Sequence, residues 1–165
     1  MRNTVNPQTL LGQVDIASIN FDSRSRDEMP QLLRGLQYIY CNPELRTQVF
    51  EILNEMIPKN VNKKTGRPGM ELWKILVIGT IRLNCDWNYD KLKDIVDNHF
   101  TVRQMLGHPD VYDRYQYPLQ TLEDNIRLFT PAILNRINEV VVKAGQSIDS
   151  KKKPKRSSAD ATASS

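Results

Sequence analysis

The sequence predicts an all-α protein, and three observations lead to this prediction. Apolar residues recur at helical spacing in most segments after residue 30, for example within residues 45–56. A capping residue followed by proline marks two helix starts, at Asn42-Pro43 and at Thr130-Pro131. No segment alternates apolar and polar residues between hairpin turns, so strands are not expected. We therefore predict a compact bundle of about six or seven helices with a helix-turn-helix-like part.

The first half of the chain divides at its turn residues. Residues 1–29 are weakly periodic and predict an arm that lies on the core. Helical stripes then cover residues 30–40 and 43–57, and Pro58 ends the second of these helices. Residues 59–69 are polar, basic and rich in turn formers, which indicates a connector.

The second half begins with the most apolar segment of the chain, residues 70–83. Its apolar side chains occur on nearly every side of a helix, so we predict a central helix. Gly79 within it lowers helix propensity, which suggests that a neighbouring helix approaches closely there. The helical patterns that follow are one after a cap at Asp86 or Asn88, one from Thr101 to Gly107, one near residues 118–129 and one from Pro131.

Length and composition exclude several classes of protein. The 165 residues suit one folded domain, which we place at residues 30–149. No window approaches the run of about 18 apolar residues that a membrane span needs, and the N-terminus lacks the apolar stretch of a signal peptide. The two cysteines, Cys41 and Cys85, are expected to be reduced core residues of a cytoplasmic protein.

The net charge of +4 comes from one short segment. Residues 1–150 carry 18 basic and 18 acidic side chains, so this part of the chain is neutral. The excess lies in residues 151–156 (Lys-Lys-Lys-Pro-Lys-Arg), within a tail of residues 150–165 that we expect to be disordered. The basic run resembles a nuclear-import signal, and it also fits a non-specific grip on DNA phosphates or a frayed end. The basic pI therefore does not by itself indicate a DNA-binding face.

The sequence offers no pattern for an active site, a metal site or a cofactor. His99 and His108 have no cysteine or carboxylate at metal-ligand spacing. Asp90, Asp94 and Asp97 share one side of a short helix, where acidic residues usually form a solvated face. We therefore expect this chain to perform no catalysis.

One stretch that fits contact with double-stranded DNA is the connector. It carries Lys63, Lys64 and Arg67 in a basic strip, and Lys74 follows in the next helix. A Gly-Arg-Pro sequence can place an arginine in a narrow minor groove, where the negative potential is strong. The same residues also fit an ordinary polar connector, with Pro68 starting the helix that follows.

The second such stretch is the helix near residues 118–129. Its outward side carries Gln120, Thr121 and Arg127, which are able to bond base edges or phosphates. Asp124 lies on the same side and opposes phosphate contact. An ordinary solvated helix face fits these residues equally well.

Three stretches in combination match one family in order and spacing. They are residues 31–40 (QLLRGLQYIY), residues 66–77 (GRPGMELWKILV), and residues 103–108 (RQMLGH) resumed at 119–131 (LQTLEDNIRLFTP). Together they resemble the N-terminal region of bacterial insertion-sequence transposases of the ISNCY group, over roughly residues 1–147. In the wider insertion-sequence-five-like superfamily, this resemblance implies recognition of the terminal inverted repeats of the element.

The same resemblance implies that a catalytic part is missing. Full-length members continue into a ribonuclease-H-like domain whose three carboxylates hold two metal ions for strand cleavage and transfer. Because this chain ends at Ser165, it resembles a truncated or frameshifted transposase that keeps only the N-terminal module and does not cleave DNA. The resemblance also implies a bacterial cytoplasm, and the nucleoid when DNA is bound.

Two other functions stay open on the sequence alone. The neutral body favours a helical association module, which dimerises transposase subunits or binds full-length transposase as a decoy inhibitor. A decayed remnant without a selected role is the third interpretation. DNA binding should weaken steeply with salt, whereas an apolar helix interface should not.

Overall fold

The computed structural model describes residues 14–22, 24, 26–58, 69–109 and 113–163. Within these ranges the chain forms a short 3₁₀ helix (Ile16–Ser18), seven α-helices and no strand. The α-helices are α1 (Glu28–Cys41), α2 (Pro43–Glu55), α3 (Leu72–Cys85), α4 (Tyr89–Asn98), α5 (Phe100–Met105), α6 (Leu119–Ile126) and α7 (Pro131–Ala163). The predicted all-α bundle is confirmed.

Capping side chains begin most helices close to the predicted positions. Asn42 begins α2, Asn88 begins α4 and Thr130 begins α7, each by accepting a hydrogen bond from a backbone N–H of the first turn. Asn88 is therefore the cap of α4, whereas Asp86 has a left-handed backbone (φ 53°) and ends α3. Asp27 caps α1, which begins two residues before the predicted Pro30.

α3 is the central helix, as predicted. Its residues between Leu72 and Ile81 are buried with one exception, the half-buried Lys74, and the helix packs against α1, α2, α4 and α6. The indole Nε1 of Trp73 donates to the carbonyl oxygen of Met105 at 2.7 Å, which ties α3 to the end of α5. The buried polar group of this large side chain is thereby satisfied.

Gly79 lets the chain after α6 pack directly onto α3. A methyl group at this position would lie 2.5 Å from Cδ1 of Phe129, whose side chain is buried. That distance is far shorter than a van der Waals contact, so glycine is what allows the ring to lie there. A close approach at Gly79 is confirmed, but the neighbour is the side chain of Phe129 in the turn after α6 and not the predicted helix.

The described end of the N-terminal arm lies on α1. Ile16 and Ile19 are buried in the common core. The side-chain amide of Gln37 donates to the carbonyl oxygens of both residues, each at 2.9 Å. The first thirteen residues of the arm lie outside the described part of the chain.

α7 packs mainly along α2. Ile137 is buried there, and Nη1 of Arg136 lies 2.6 Å from Oε2 of Glu55. The helical backbone continues through residues 150–163, where the composition predicts a disordered tail. This stretch contains Pro154, which lacks a backbone N–H and disfavours a helix interior, so the disorder of the tail stays a prediction. Long as α7 is, neither it nor another helix in the described ranges is apolar enough to cross a membrane.

The two cysteines are free thiols, but they are not both core residues. Cys41 is exposed and Cys85 is half-buried, so the prediction of a core position is wrong for Cys41. The buried residues of α1 include Leu36 and Ile39, and the last residue of the helix is rotated away from them. Periodicity alone gave the wrong answer at this helix end.

Candidate nucleic-acid interface

The predicted DNA-contact residues fall into two groups. Lys63, Lys64 and Arg67 belong to residues 59–68, which lie outside the described ranges. The structure places the other four, Lys74, Gln120, Thr121 and Arg127, on or at the ends of α3 and α6.

α6 presents a polar outer side. Leu122 and Ile126 point into the core, whereas Gln120 and Arg127 are exposed and Thr121 is half-buried. The side-chain amide of Gln120 donates to Oδ1 of Asp124 at 2.8 Å. The helix therefore carries an amide, a carboxylate and a guanidinium group along its solvent side.

The start of α3 lies against α6. The backbone N–H of Met70 donates to Oδ1 of Asn125 at 3.3 Å, and Asn125 itself is buried. The Nδ2 atom of Asn125 donates to the carbonyl oxygen of Thr121 at 2.8 Å, which holds the amide in place. The connector that carries Arg67 therefore re-enters the described chain at Gly69, beside α6.

Lys74 lies near the start of α3, next to the buried side chain of Tyr117. It is half-buried one turn into α3, and its Nζ lies 6.0 Å from the centre of the Tyr117 ring. At this distance the ammonium group is attracted by the face of the ring. Lys74 is thus only partly available to a phosphate group.

The loop before α6 contains a network that the sequence analysis did not detect. His108 lies with Nδ1 2.6 Å from Oδ2 of Asp113 and with Nε2 2.6 Å from the hydroxyl of Tyr117. Nη2 of Arg103 lies 3.8 Å from Oδ1 of Asp113. His108 thus has a carboxylate partner five residues further along the chain, a contact that the sequence analysis did not consider. We call His108, Asp113 and Tyr117 the His108 network.

A second carboxylate anchors the other end of this loop. Oδ1 of Asp97 accepts from the backbone N–H of Tyr117 at 2.8 Å, and Oδ2 lies 2.6 Å from Nζ of Lys93. Lys93 also donates to the carbonyl oxygen of Tyr117 at 2.7 Å. Asp90 and Asp94 are exposed as predicted, but the Asp97 side chain is 5% exposed and does not belong to a solvated face.

Burial decides the protonation of the His108 network. Burial lowers the pKa of His108, the hydrogen bond to Asp113 opposes that change, and the positive charges of Lys74 and Arg103 lower the pKa further. The imidazole is therefore neutral at pH 7, with Nδ1–H donating to Asp113 and Nε2 accepting from the Tyr117 hydroxyl. Burial also raises the pKa of Tyr117, which keeps its phenol protonated.

The network has the residue types of a proton relay, but its histidine and tyrosine are buried in the described part of the chain. Tyr117 is 2% exposed, and its hydroxyl is engaged by His108. In the part of the chain that the structure describes, no three His, Cys, Asp or Glu side chains converge as ligands for a metal ion. The arrangement is suited to ordering the loop, because each polar atom of the chain Asp113–His108–Tyr117 has a partner.

The outer side of this loop is polar and aromatic. Arg114, Tyr115 and Gln116 are exposed in succession, immediately before Pro118 and the first turn of α6. The Tyr115 ring stacks on His108, with centroids 5.8 Å apart and an interplanar angle of 18°. The hydrophilic run Arg-Tyr-Gln-Tyr is the signal in the sequence that would have found this surface.

Comparison of this chain with protein-family models, with curated proteins and with solved structures gave no match.

Proposed function

We propose that this protein binds duplex DNA through α6 and the basic connector, and that it recognises the terminal inverted repeats of an insertion sequence. The observation that carries the proposal is the hydrogen bond from Met70 N–H to Asn125, because it brings the end of the connector beside α6. The described chain that follows the connector, at Gly69 and Met70, therefore lies next to α6. The terminal repeat as ligand comes from the transposase resemblance.

The chemistry of α6 fits the edges of bases. Glutamine bonds adenine through two atoms, and arginine bonds guanine in the same way, in the major groove. Gln120 and Arg127 are both exposed, and the Asp124 carboxylate that orients Gln120 is also able to accept from cytosine N4. In this proposal α6 is the recognition helix of a helix-turn-helix-like part, and its inner side packs against α3 and α4.

The positive charges for phosphate contact come mainly from the connector. Lys63, Lys64, Arg67 and Lys74 are four of the five basic residues between residues 59 and 74. Four phosphate contacts give a log–log dependence of affinity on salt with a slope of about −3.6. This slope is shallow, as expected of a module whose body carries no net charge.

The basic tail must be neutralised before this slope is informative. We define the neutral-tail protein as the full chain with Lys151, Lys152, Lys153, Lys155 and Arg156 replaced by glutamine. A duplex selected from a random-sequence pool and a scrambled duplex of the same length serve as probes. In fluorescence anisotropy titrations, Arg67→Ala should weaken binding to both probes, because a phosphate or minor-groove cation is lost. Binding by the neutral-tail protein that ignores salt, or no binding at all, would contradict the proposal.

We further infer that the chain does not cleave DNA. The three metal-holding carboxylates of the transposases that this sequence resembles have no counterpart in its motifs. Purified protein should neither nick nor join a duplex carrying the selected site in the presence of Mg²⁺ or Mn²⁺. Metal-dependent cleavage that disappears when one acidic residue of the chain is substituted would overturn this inference.

An association module is the second candidate function. The feature that favours it is the outer side of α7, where Val142 is 55% exposed, together with the neutral body. In this case the protein should self-associate in sedimentation experiments, with an affinity that is unchanged or stronger at high salt. A Val142→Asp substitution should then abolish association and leave DNA binding intact.

A further inference from the structure

The exposed turn before α6 differs in character from the residues around it. Arg114, Tyr115 and Gln116 are all exposed. Tyr115, at 48% exposure, is one of the few large hydrophobic side chains in the described residues that are exposed. None of the three was singled out by the sequence, and none takes part in the contacts proposed for α6. Within the described residues, no ion pair involves Arg114.

The backbone of this turn is held from inside. Asp113 accepts from the backbone N–H of Tyr115 at 2.9 Å and pairs with His108 at 2.6 Å. Two residues later, the backbone N–H of Tyr117 is bound by Asp97. Residues 114–116 therefore project from a segment that is anchored on both sides, which reduces the entropy lost on binding.

Charge is separated across this turn. The Asp113 side chain is 17% exposed and lies against His108 and Arg103, so its negative charge is turned inward. The neighbouring Arg114 is turned outward. An anion that approaches the turn meets the guanidinium group first, with the carboxylate behind it and compensated by Arg103.

The Tyr115 ring is oriented as well as exposed. One face stacks on His108, and Tyr117 meets the ring edge-on at a centroid distance of 5.0 Å and an angle of 83°. Because His108 covers one face, the exposed part of the side chain lies on the other side. A tyrosine hydroxyl, an arginine and a glutamine amide presented together are the donors that proteins use on DNA phosphates.

We propose that Arg114 and the Tyr115 hydroxyl contact the phosphate backbone of duplex DNA beside the bases that α6 reads, with the His108 network as the scaffold that fixes their position. This rests on the proposed DNA-binding function and adds a contact to it. Pro118 joins the turn directly to the first residue of α6, so a helix lying in the major groove brings the turn to the flanking strand. Phosphate contacts of this kind set the register of the helix without reading sequence.

The test uses the neutral-tail protein and a short random-sequence duplex, because the proposed contact is independent of sequence. Affinity is measured by fluorescence anisotropy between about 50 and about 200 mM KCl. Arg114→Gln should make the log–log salt slope shallower by about 0.9, the share of one phosphate contact. Tyr115→Phe keeps the ring on His108 and removes only the hydroxyl, so it should weaken binding by roughly 2- to 10-fold without changing the slope.

Matched controls lie on α1. Arg34 is exposed there, and Tyr38 is 37% exposed, so Arg34→Gln and Tyr38→Phe make the same chemical changes away from the turn. Neither should change affinity or slope. Thermal unfolding of every variant confirms that the fold is retained.

The outcomes separate this contact from the function on which it rests. If the parent protein shows no salt-dependent binding, the proposed function fails and this contact fails with it. If the parent binds but Arg114→Gln leaves the slope unchanged, or changes it no more than Arg34→Gln does, only the contact at the turn is overturned. An unchanged affinity for Tyr115→Phe overturns the role of its hydroxyl. A shallower slope for Arg114→Gln alone, with weaker binding by Tyr115→Phe, supports the proposal.

Discussion

The hydroxyl of Tyr117 lies 2.6 Å from Nε2 of His108, and both groups are buried. The opposite ring nitrogen of His108 lies 2.6 Å from Asp113. A neutral imidazole with Nδ1–H donating to Asp113 accepts the Tyr117 O–H through Nε2, so the neutral ring satisfies both partners. The turn before α6 therefore depends on one uncharged side chain at its base.

Removing the Tyr117 hydroxyl should lower stability. Tyr117→Phe leaves the buried Nε2 of His108 without its donor, which costs about 1–3 kcal/mol of unfolding free energy. For a chain of this size, the melting temperature should fall by roughly 2–4 °C per kcal/mol. Tyr38→Phe removes an exposed hydroxyl and should change stability by less than about 0.5 kcal/mol. Equal melting temperatures for the two variants would show that the His108–Tyr117 bond contributes nothing.

Stability should fall as the pH is lowered below the ordinary histidine pKa. Burial lowers the pKa of His108 from 6.5, so the unfolded chain binds this proton more tightly than the folded chain. The free energy of unfolding therefore rises with pH in this window. The contribution of the neutral His108 is fully present above about pH 6.5, and it is lost progressively below that pH until the folded-state pKa is reached. Urea unfolding between about pH 7.5 and about pH 5 measures this slope.

Two controls identify the group responsible. His108→Gln should reduce the pH dependence in that window. Burial also lowers the pKa of His99, so His99→Gln should remove a second part of the pH dependence of stability, with the same sign. Asp113 acts at lower pH: burial raises its pKa, but the bonds from Tyr115 N–H and His108 and the charge of Arg103 outweigh this and leave its pKa below 3.8. A wild-type stability that stays constant from pH 7.5 to pH 5 would falsify the neutral His108.

Gly79→Ala should destabilise the protein although it improves helix propensity. The added methyl would lie 2.5–2.9 Å from Cδ1, Cγ and Cβ of Phe129. These atoms are at the base of a buried ring, so they cannot move aside cheaply. Overpacking of this kind costs about 1–3 kcal/mol and exceeds the gain of roughly 0.5–1 kcal/mol from replacing a helical glycine.

Gly35 provides the matched control on α1. Nothing lies within 4 Å of a methyl group built there, so Gly35→Ala should raise the free energy of unfolding by about 0.5–1 kcal/mol. Denaturant unfolding of the two variants measures the contrast. Similar stabilisation by both substitutions would mean that the Phe129 ring moves away without cost.

Substitutions on α6 should reduce discrimination between DNA sequences. Gln120→Ala and Arg127→Ala each remove an exposed group proposed to bond a base edge. The preference for the selected duplex over the scrambled one should drop by about 1–3 kcal/mol, or tenfold to more than a hundredfold. Gln48→Ala on α2 and Arg34→Ala on α1 are exposed controls that should leave the preference unchanged. Equal losses on both duplexes would assign α6 to phosphate contact instead.

Most of the helical framework could be predicted from the sequence because its causes are local. A stripe of apolar residues can be recognised within one or two helical turns. A capping side chain accepts from an N–H three residues later, as at Asn42 and Thr130, so it is also a local signal. Gly79 was also informative, since glycine in an apolar helix implies a close neighbour. Local signals are weaker at helix ends, where Cys41 turned out exposed.

The surface proposed to bind DNA could be predicted only in part. The polar outer side of α6 follows from helical spacing, and Gln120 and Arg127 are exposed as expected. The bond between Met70 and Asn125 joins residues 55 positions apart, so no local pattern reveals it. Whether Lys63, Lys64 and Arg67 reach DNA stays a prediction, because they lie outside the described residues.

The sequence by itself determined most of the helices, the caps at Asn42 and Thr130 and most of the apolar core, because these depend on neighbours within a few positions of the chain. Only the tertiary structure decided the environment of His108, Asp97 and Tyr117. Their hydrogen bonds require α4, the end of α5 and the loop before α6 to meet at one point. From the linear sequence, polar residues in a loop are expected to face solvent. Helices that are distant in the sequence bury these residues, and their polar atoms then form a fixed network of hydrogen bonds.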